Sequence, residues 1–313
     1  MPDLIKHSVF AEGRLSIGLT LPMLSSGNTV AGFGEQIELA KLADELGFAA
    51  LWVRDVPLNS NDYPDPVGHL DPWVLLGALA SHTSNIALAS GAIVLTLRHP
   101  LHIAKGAVSA NTLSRGRFIL GLGSGDRPHE YAAFGVDADA RRELYRRNWD
   151  TVASAVGREA RVVPDQSPPD APEFFLLPKT PTPVPMIAVG SGGQSVDWIA
   201  RNSIGWMTYH REPEKQRARY SMWRTAVDRV APGEFRAFGV AMGLDLVADK
   251  NETAEPRTLG YRTGRNDLVR ILQKMRDSGT HHVTLNLQAS KRTPRDMLEE
   301  LAAEVLPEFK TPA

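Results

Sequence analysis

Apolar runs and amphipathic helical stripes alternate along this chain almost from end to end. Leu15 to Leu21 is a β-rich run. Leu39, Leu42, Ala43 and Leu46 then recur at i, i+3, i+4 and i+7, a helix face that stops at Gly47. Ala49 to Val53 is the second strand. Asp71-Pro72 starts a helix, with an acceptor at the N-cap and proline in the first turn, and Leu75, Ala78 and Leu79 form its inner stripe. Ile86 to Leu95 is the third strand, and His99-Pro100 opens a helix that closes at Ser114-Arg115-Gly116. Phe118 to Leu122 is the fourth strand, and a helix follows over Arg141 to Val156. The second half repeats the scheme. Strands are expected at Met186 to Val189, Gly205 to Tyr209, Phe235 to Val247 and Val283 to Leu287, each followed by a helical stripe.

Eight strand–helix units of this kind predict a parallel sheet covered on its outer face, and hence a closed (β/α)8 barrel. The competing arrangement, an open doubly wound sheet, usually carries a glycine-rich dinucleotide turn after its first strand. This chain has Thr20-Leu21-Pro22-Met23 there. Its 313 residues exceed the ~250 of a bare barrel. The surplus is expected as insertions after the fourth and seventh strands of one domain spanning 1–313. Eight prolines between Pro164 and Pro185 mark a proline-rich excursion at about 157–185, either a stiff linker or a wall of the site.

Composition narrows the function classes. The chain has no cysteine, which excludes a disulfide scaffold, a cysteine nucleophile and a thiolate metal site. A net charge of −1 gives no footing for nucleic acid or an acidic membrane surface. No stretch reaches the ~20 apolar residues of a membrane span, and the N-terminus lacks a signal-peptide layout. The expectation is a cytoplasmic protein acting on a small molecule.

In a barrel the site lies where the strands end. The richest local signal is Gly190-Ser191-Gly192-Gly193-Gln194-Ser195, between the fifth strand and a helix. Such a turn bares backbone N–H groups at a helix N-terminus and can cradle a phosphate; a plain small-residue turn is the alternative. Gly121 to Gly125 is a second glycine-rich strand end, suited to close approach of a flat ligand. The other strand-end residues include Arg54, Asp55, Ser90, Thr96, Arg98, Asp126, Arg127, His210 and Arg211. Paired histidines are missing from the first strand, and His281-His282 precedes the last one, on the wrong face for a barrel metallohydrolase. No metal site is expected, and no Gly-x-Ser-x-Gly elbow supports a serine hydrolase.

Glu38 to Asp55, Asp71 to Gly125, Pro185 to Thr208 and Glu304 to Phe309 together resemble the bacterial luciferase-like flavin-dependent oxidoreductases. His99-Pro100 through Leu113-Ser114-Arg115-Gly116-Arg117-Phe118 to Gly121 is the most specific stretch. The resemblance implies a TIM barrel that binds FMN or the deazaflavin F420. It implies phosphate binding at Gly190, Ser191, Gly192, Gly193, Gln194 and Ser195, and approach to the ring by Ser90, Gly91 and Ala92. It also implies Gly123 and Ser124 beside the ribityl chain and a cis peptide at Gly91–Ala92. Many members carry a histidine shortly after the second strand, where this chain reads Arg54-Asp55-Val56-Pro57. Valine cannot shuttle a proton, which leaves Asp55, His69, His129 and His210 as substitutes. The expected activity is a monooxygenase using reduced FMN, oxygen and a small organic substrate. A separate flavin reductase and a second copy of the chain are the expected partners. F420-dependent hydride transfer, for whose anionic tail Arg98, Arg127, Arg262 and Arg265 are the available cations, and a non-catalytic flavin-binding protein are the alternatives.

Overall fold

The apolar runs close on one another. In the computed structural model, which describes residues 9–29, 31–62, 65, 67–162 and 172–309, eight parallel strands form a closed barrel. They are β1 (Ser16–Thr20), β2 (Ala50–Val53), β3 (Ala87–Ser90), β4 (Phe118–Gly123), β5 (Met186–Val189), β6 (Gly205–Tyr209), β7 (Ala237–Leu246) and β8 (His282–Asn286). Each pairs with its sequence neighbour, and β8 pairs with β1 through Ser16 opposite His282 and Gly18 opposite Thr284. The expected third strand is split: β3 stops at Ser90, and Ile93–Val94 resumes as a separate short strand against the end of β4. Between them the Gly91–Ala92 peptide is cis.

Helices α1 (Phe33–Leu46), α2 (Pro72–His82), α3 (Pro100–Leu113), α4 (Pro128–Ala133), α5 (Arg141–Val156), α6 (Val196–Asn202), α7 (Pro213–Val230), α8 (Arg265–Asp277) and α9 (Pro294–Glu300) follow the strands. Their starts obey the sequence signals. The Asp71 carboxylate accepts from the N–H groups of Trp73 and Val74, His99 Nδ1 from that of Leu101, and Thr293 Oγ1 from that of Asp296. Each of these caps satisfies N–H groups that a helix start leaves without partners. Gly47 takes the left-handed conformation at the end of α1, with φ 84°.

Period-two alternation sorts the strand residues into two layers. One face packs under the helices in the main core. The other points to the barrel axis, where Ala50, Trp52, Ala87, Ala89, Ile119, Ile187, Met207 and Ala237 meet. Val9 and Phe10 join this inner cluster. Ser16 and Thr20 on β1 and His282 and Thr284 on β8 supply polar positions on the same inward face. The Trp52 indole N–H donates to His282 Nε2 at 2.9 Å. His282 Nδ1 therefore carries the proton and donates to Ser16 Oγ at 2.7 Å, and Ser16 donates onward to the Val9 carbonyl. The His282 side chain is completely buried, and burial pushes its pKa down to about 3.

The insertions take two forms. After β7, Glu255–Arg257 and Gly260–Thr263 form a hairpin whose second strand pairs in parallel with β7, Gly243 opposite Gly260. The proline-rich excursion lies where its sequence position puts it, between α5 and β5. Its described parts pair Arg161–Val162 with Phe174–Phe175, and Lys105 of α3 donates to the Leu177 carbonyl. No described residue between 172 and 185 borders the cavities at the barrel mouth. The rest of the excursion, 163–171, lies outside the described residues.

Candidate active site at the barrel mouth

Two adjoining cavities open where the strands end. The inner one, of about 310 Å3, is bordered by inward residues of the staves, among them Thr20, Trp52, Met207, Ala241, Thr284 and Asn286, and by Thr258 and Leu259 at the tip of the hairpin. The outer one, of about 510 Å3, is walled by the loops after β2, β3, β4 and β5. Arg54, Gly91, Val189, Gly190 and Tyr209 border both. These volumes fall within the range of ligand sites, ~300–1,000 Å3.

The glycine-rich turn lies on the outer cavity. Gly190, Gly192 and Gly193 all have positive φ, from 56° to 72°, a conformation that side-chain-bearing residues rarely adopt. Gly190, Ser191, Gly192 and Gly193 border the cavity. Among the described residues, the N–H groups of Ser191 and Gly192 have no acceptor. Gln194 and Ser195 are used by the fold instead. Gln194 donates to the carbonyls of Arg142 and Gly192, and Ser195 caps α6 by accepting from the Trp198 N–H. Arg141, at the start of α5, also borders this cavity.

The opposite wall is held by charge. Asp55 is buried, and both its carboxylate oxygens are engaged. Oδ1 accepts from Arg98 at 2.8 Å, while Oδ2 accepts from Arg98 Nε at 2.8 Å and from the Val94 N–H at 3.0 Å. It thereby fixes the segment that follows the cis peptide. Asp65 ties Arg54 at 2.8 Å and Arg127 at 3.1 Å, with His69 at 3.6 Å. Burial opposes the charge on Asp65, yet the neighbouring His69 and the Arg54 guanidinium hold its carboxyl well below the usual range. Glu130 borders the outer cavity with one buried oxygen that has no partner among the described residues. Burial raises its pKa against the opposing pull of Arg127.

Of the residues expected to touch a flavin, Gly91, Ala92, Gly123 and Ser124 border the outer cavity. Ser90 does not: its hydroxyl donates to the Gly121 carbonyl at 2.8 Å and accepts from the Gly121 N–H at 2.9 Å, stitching β3 to β4. Among the proposed histidine substitutes, Asp55 is committed to Arg98. His69 is turned to Asp65. His129 is exposed beside Asp62, away from both cavities. His210 packs against Tyr261, with ring centroids 5.0 Å apart, and burial lowers its pKa to about 4.

Trp52, Tyr209, Thr284, Asn286 and Arg141 were not singled out from sequence. Polar residues at alternate positions of β8, His282, Thr284 and Asn286, are the signal that could have marked its inward face. Thr284 Oγ1 lies 3.0 Å from Thr20 Oγ1.

The family model described as luciferase-like monooxygenase matches residues 13–306, nearly the whole barrel. The chain belongs to the luciferase-like monooxygenase family. Within it, the chain is 26% identical over 276 residues to an F420-dependent glucose-6-phosphate dehydrogenase of Beutenbergia cavernae, covering 86% of this chain and 75% of that protein. Two solved structures share the fold. Monooxygenase RslO1 of Streptomyces bottropensis superposes with a TM-score of 0.75 at 19% identity over 94% of this chain and 100% of the other. The oxygenating constituent of 3,6-diketocamphane monooxygenase of Pseudomonas putida, solved in complex with FMN, superposes with a TM-score of 0.70 at 15% identity over 96% and 100%. Luciferase-like relatives thus include both F420-dependent and FMN-binding proteins. Among the described residues, no helix is long and apolar enough to cross a membrane.

Proposed function

We propose that this luciferase-like protein is an FMN-dependent monooxygenase acting on a small organic molecule, supplied with reduced FMN by a separate reductase. The observation that carries this reading is the turn at Gly190–Gly193, where left-handed glycines present acceptor-free N–H groups to the outer cavity. The residues present fit a phosphate: two backbone donors, the Ser191 hydroxyl and the nearby Arg141 guanidinium. Gly91 and Ala92 would support one face of a flat ring, and Gly123 and Ser124 the chain that joins it to the phosphate. When bound, the flavin supplies oxygen activation and electron transfer. The chain's own part is to hold the phosphate, shape the wall through the Asp55–Arg98 pair and limit water at the mouth.

F420 is the second reading, supported by the identity to an F420-dependent relative. Its anionic tail needs cations, and the four arginines named for it are already paired. Arg98 is bound by Asp55 and Asp71, Arg127 by Asp65, Arg262 by Glu252, and Arg265 by Glu300.

Titration of the purified protein with FMN and with F420, followed by absorbance and fluorescence, tests the cofactor. FMN is expected to bind at least tenfold more tightly than F420. Gly193→Asp strains a left-handed position of the turn, sets its β-carbon 3.4 Å from Arg142 and adds a negative charge beside the cradle, and is expected to weaken FMN at least tenfold. Unchanged affinity removes this turn from the site.

A further inference from the structure

The two cavities differ in charge, and that difference carries a substrate class. The outer cavity is bordered by acidic and basic side chains together: Asp55, Asp126 and Glu130 with Arg54, Arg127 and Arg141. The inner cavity has apolar walls at Trp52, Val189, Met207, Ala241, Met242 and Leu259. Its neutral hydrogen-bonding side chains are threonines, Asn286 and Tyr209. Among the described residues that border it, Arg54 has the one charged side chain.

Arg54 is well placed to hold an anion. Its side chain is 28% exposed, and Asp65 anchors it at 2.8 Å. Asp65 also accepts from Arg127, so Arg54 shares that carboxylate with a second guanidinium. With Nη2 on Asp65 and Nη1 3.5 Å from His69 Nε2, the guanidinium is held in place and its remaining N–H groups are left for an anion. Tyr209 stands with Arg54 on the boundary of the two cavities, and its hydroxyl has no hydrogen-bond partner among the described residues. Partial burial, then Asp126, pushes the Tyr209 hydroxyl up, so it is a donor at neutral pH.

We propose that the inner cavity takes a compact substrate with an apolar body and a carboxylate head, bound by Arg54 with Tyr209 donating a second hydrogen bond. A cationic head meets no carboxylate in the inner wall and faces Arg54. A neutral amide keeps the hydrogen bonds and loses the charge attraction. This assignment rests on the flavin reading only in leaving the outer cavity to the cofactor.

Isothermal titration of the full chain tests it, with benzoate, benzamide and benzylamine as probes of one size and three charges, each without and with saturating FMN. Benzoate is expected to bind at least tenfold more tightly than benzamide, with benzylamine weakest. Arg54→Met should bring benzoate down to the level of benzamide, Arg54→Lys should restore part of the difference, and Tyr209→Phe should weaken benzoate several-fold while leaving the fold intact. FMN affinity is measured in all four proteins, and the benzoate difference is read at FMN saturation. Equal binding of benzoate and benzamide, no binding of benzoate at millimolar concentration, or an Arg54→Met effect on FMN alone each overturns the proposal. The two readings fail separately: benzoate selectivity in a protein that does not bind FMN leaves the anion site standing, and FMN binding without benzoate selectivity leaves only the cofactor reading.

Discussion

The histidine at the floor of the barrel gives a pH dependence that can be worked out in advance. His282 accepts the Trp52 indole N–H through Nε2 and is fully buried, so it is neutral in the folded protein, with a pKa of about 3. In the unfolded chain it titrates near its ordinary value of about 6.5. The unfolded state therefore takes up the proton first. The stability that depends on neutral His282 is complete above pH 6.5 and is lost as the pH falls towards 3. At pH 5 the unfolded chain has gained about 1.5 pH units of proton binding, which is about 2 kcal/mol against the fold. His282→Gln keeps an acceptor for Trp52 and removes the titration. Urea denaturation followed by tryptophan fluorescence, at pH 7.5 and pH 5.0, compares the two proteins. The wild type is expected to lose about 2 kcal/mol more than the variant between the two pH values. With a urea slope of ~3 kcal/mol/M this is about 0.7 M in the midpoint. His210 and His281, both also lowered to about 4 by burial, contribute to both proteins and cancel in the difference. A gap between wild type and variant that is the same at both pH values refutes the buried, neutral histidine.

Other substitutions probe the walls of the mouth. A Cβ at Gly121 would sit 1.9 Å from the Ser90 carbonyl oxygen, so Gly121→Ala must displace main chain. We expect a loss of ~3 kcal/mol or more in urea, and an unchanged midpoint would show that β3 and β4 have slack there. Asp55→Ala strands the Val94 N–H and leaves Arg98 with Asp71 as its carboxylate. Its expected cost is about 2–3 kcal/mol, and Arg98→Met in the same chain should recover part of it, as read from paired thermal midpoints. If the double variant is no more stable than Asp55→Ala alone, the Asp55–Arg98 pair is not what holds this wall.

The barrel was legible because its staves read as continuous apolar runs, and its helix starts because Asp71-Pro72, His99-Pro100 and Thr293-Pro294 combine a side-chain acceptor with proline in the first turn. Local pattern failed where closure decides. Trp52 read as one more apolar residue of β2, and only its meeting with His282, 230 positions away, makes it a floor. Arg54 and Tyr209 became neighbours of one boundary because β2 and β6 end at the same rim. Ser90 was expected at the ring, but its hydroxyl is taken up by the Gly121 main chain on neighbouring β4, a partner that strand pairing supplies. The histidines misled for a related reason: residue type nominates a proton carrier, while burial and the neighbours of His210 or His69 decide where it points. The proline-rich excursion follows the Arg141–Val156 stripe, and in an alternating barrel a segment after a helix lies at the far end from the mouth, so the pattern itself held the answer between linker and wall.

The hairpin after β7 separates what can vary from what cannot. Its second strand is bonded to β7, with the Gly243 N–H donating to the Leu259 carbonyl at 3.0 Å, while Thr258 and Leu259 at its tip face the inner cavity. The load of holding the segment falls on backbone bonds that are indifferent to side-chain identity. New side chains at Thr258 can therefore reshape the chamber without renegotiating the barrel beneath it, while Leu259, at φ 60°, admits only residues that tolerate a left-handed backbone. For a lineage that meets new compounds, or for an engineer retuning selectivity, Thr258 is the interchangeable part of an otherwise fixed machine.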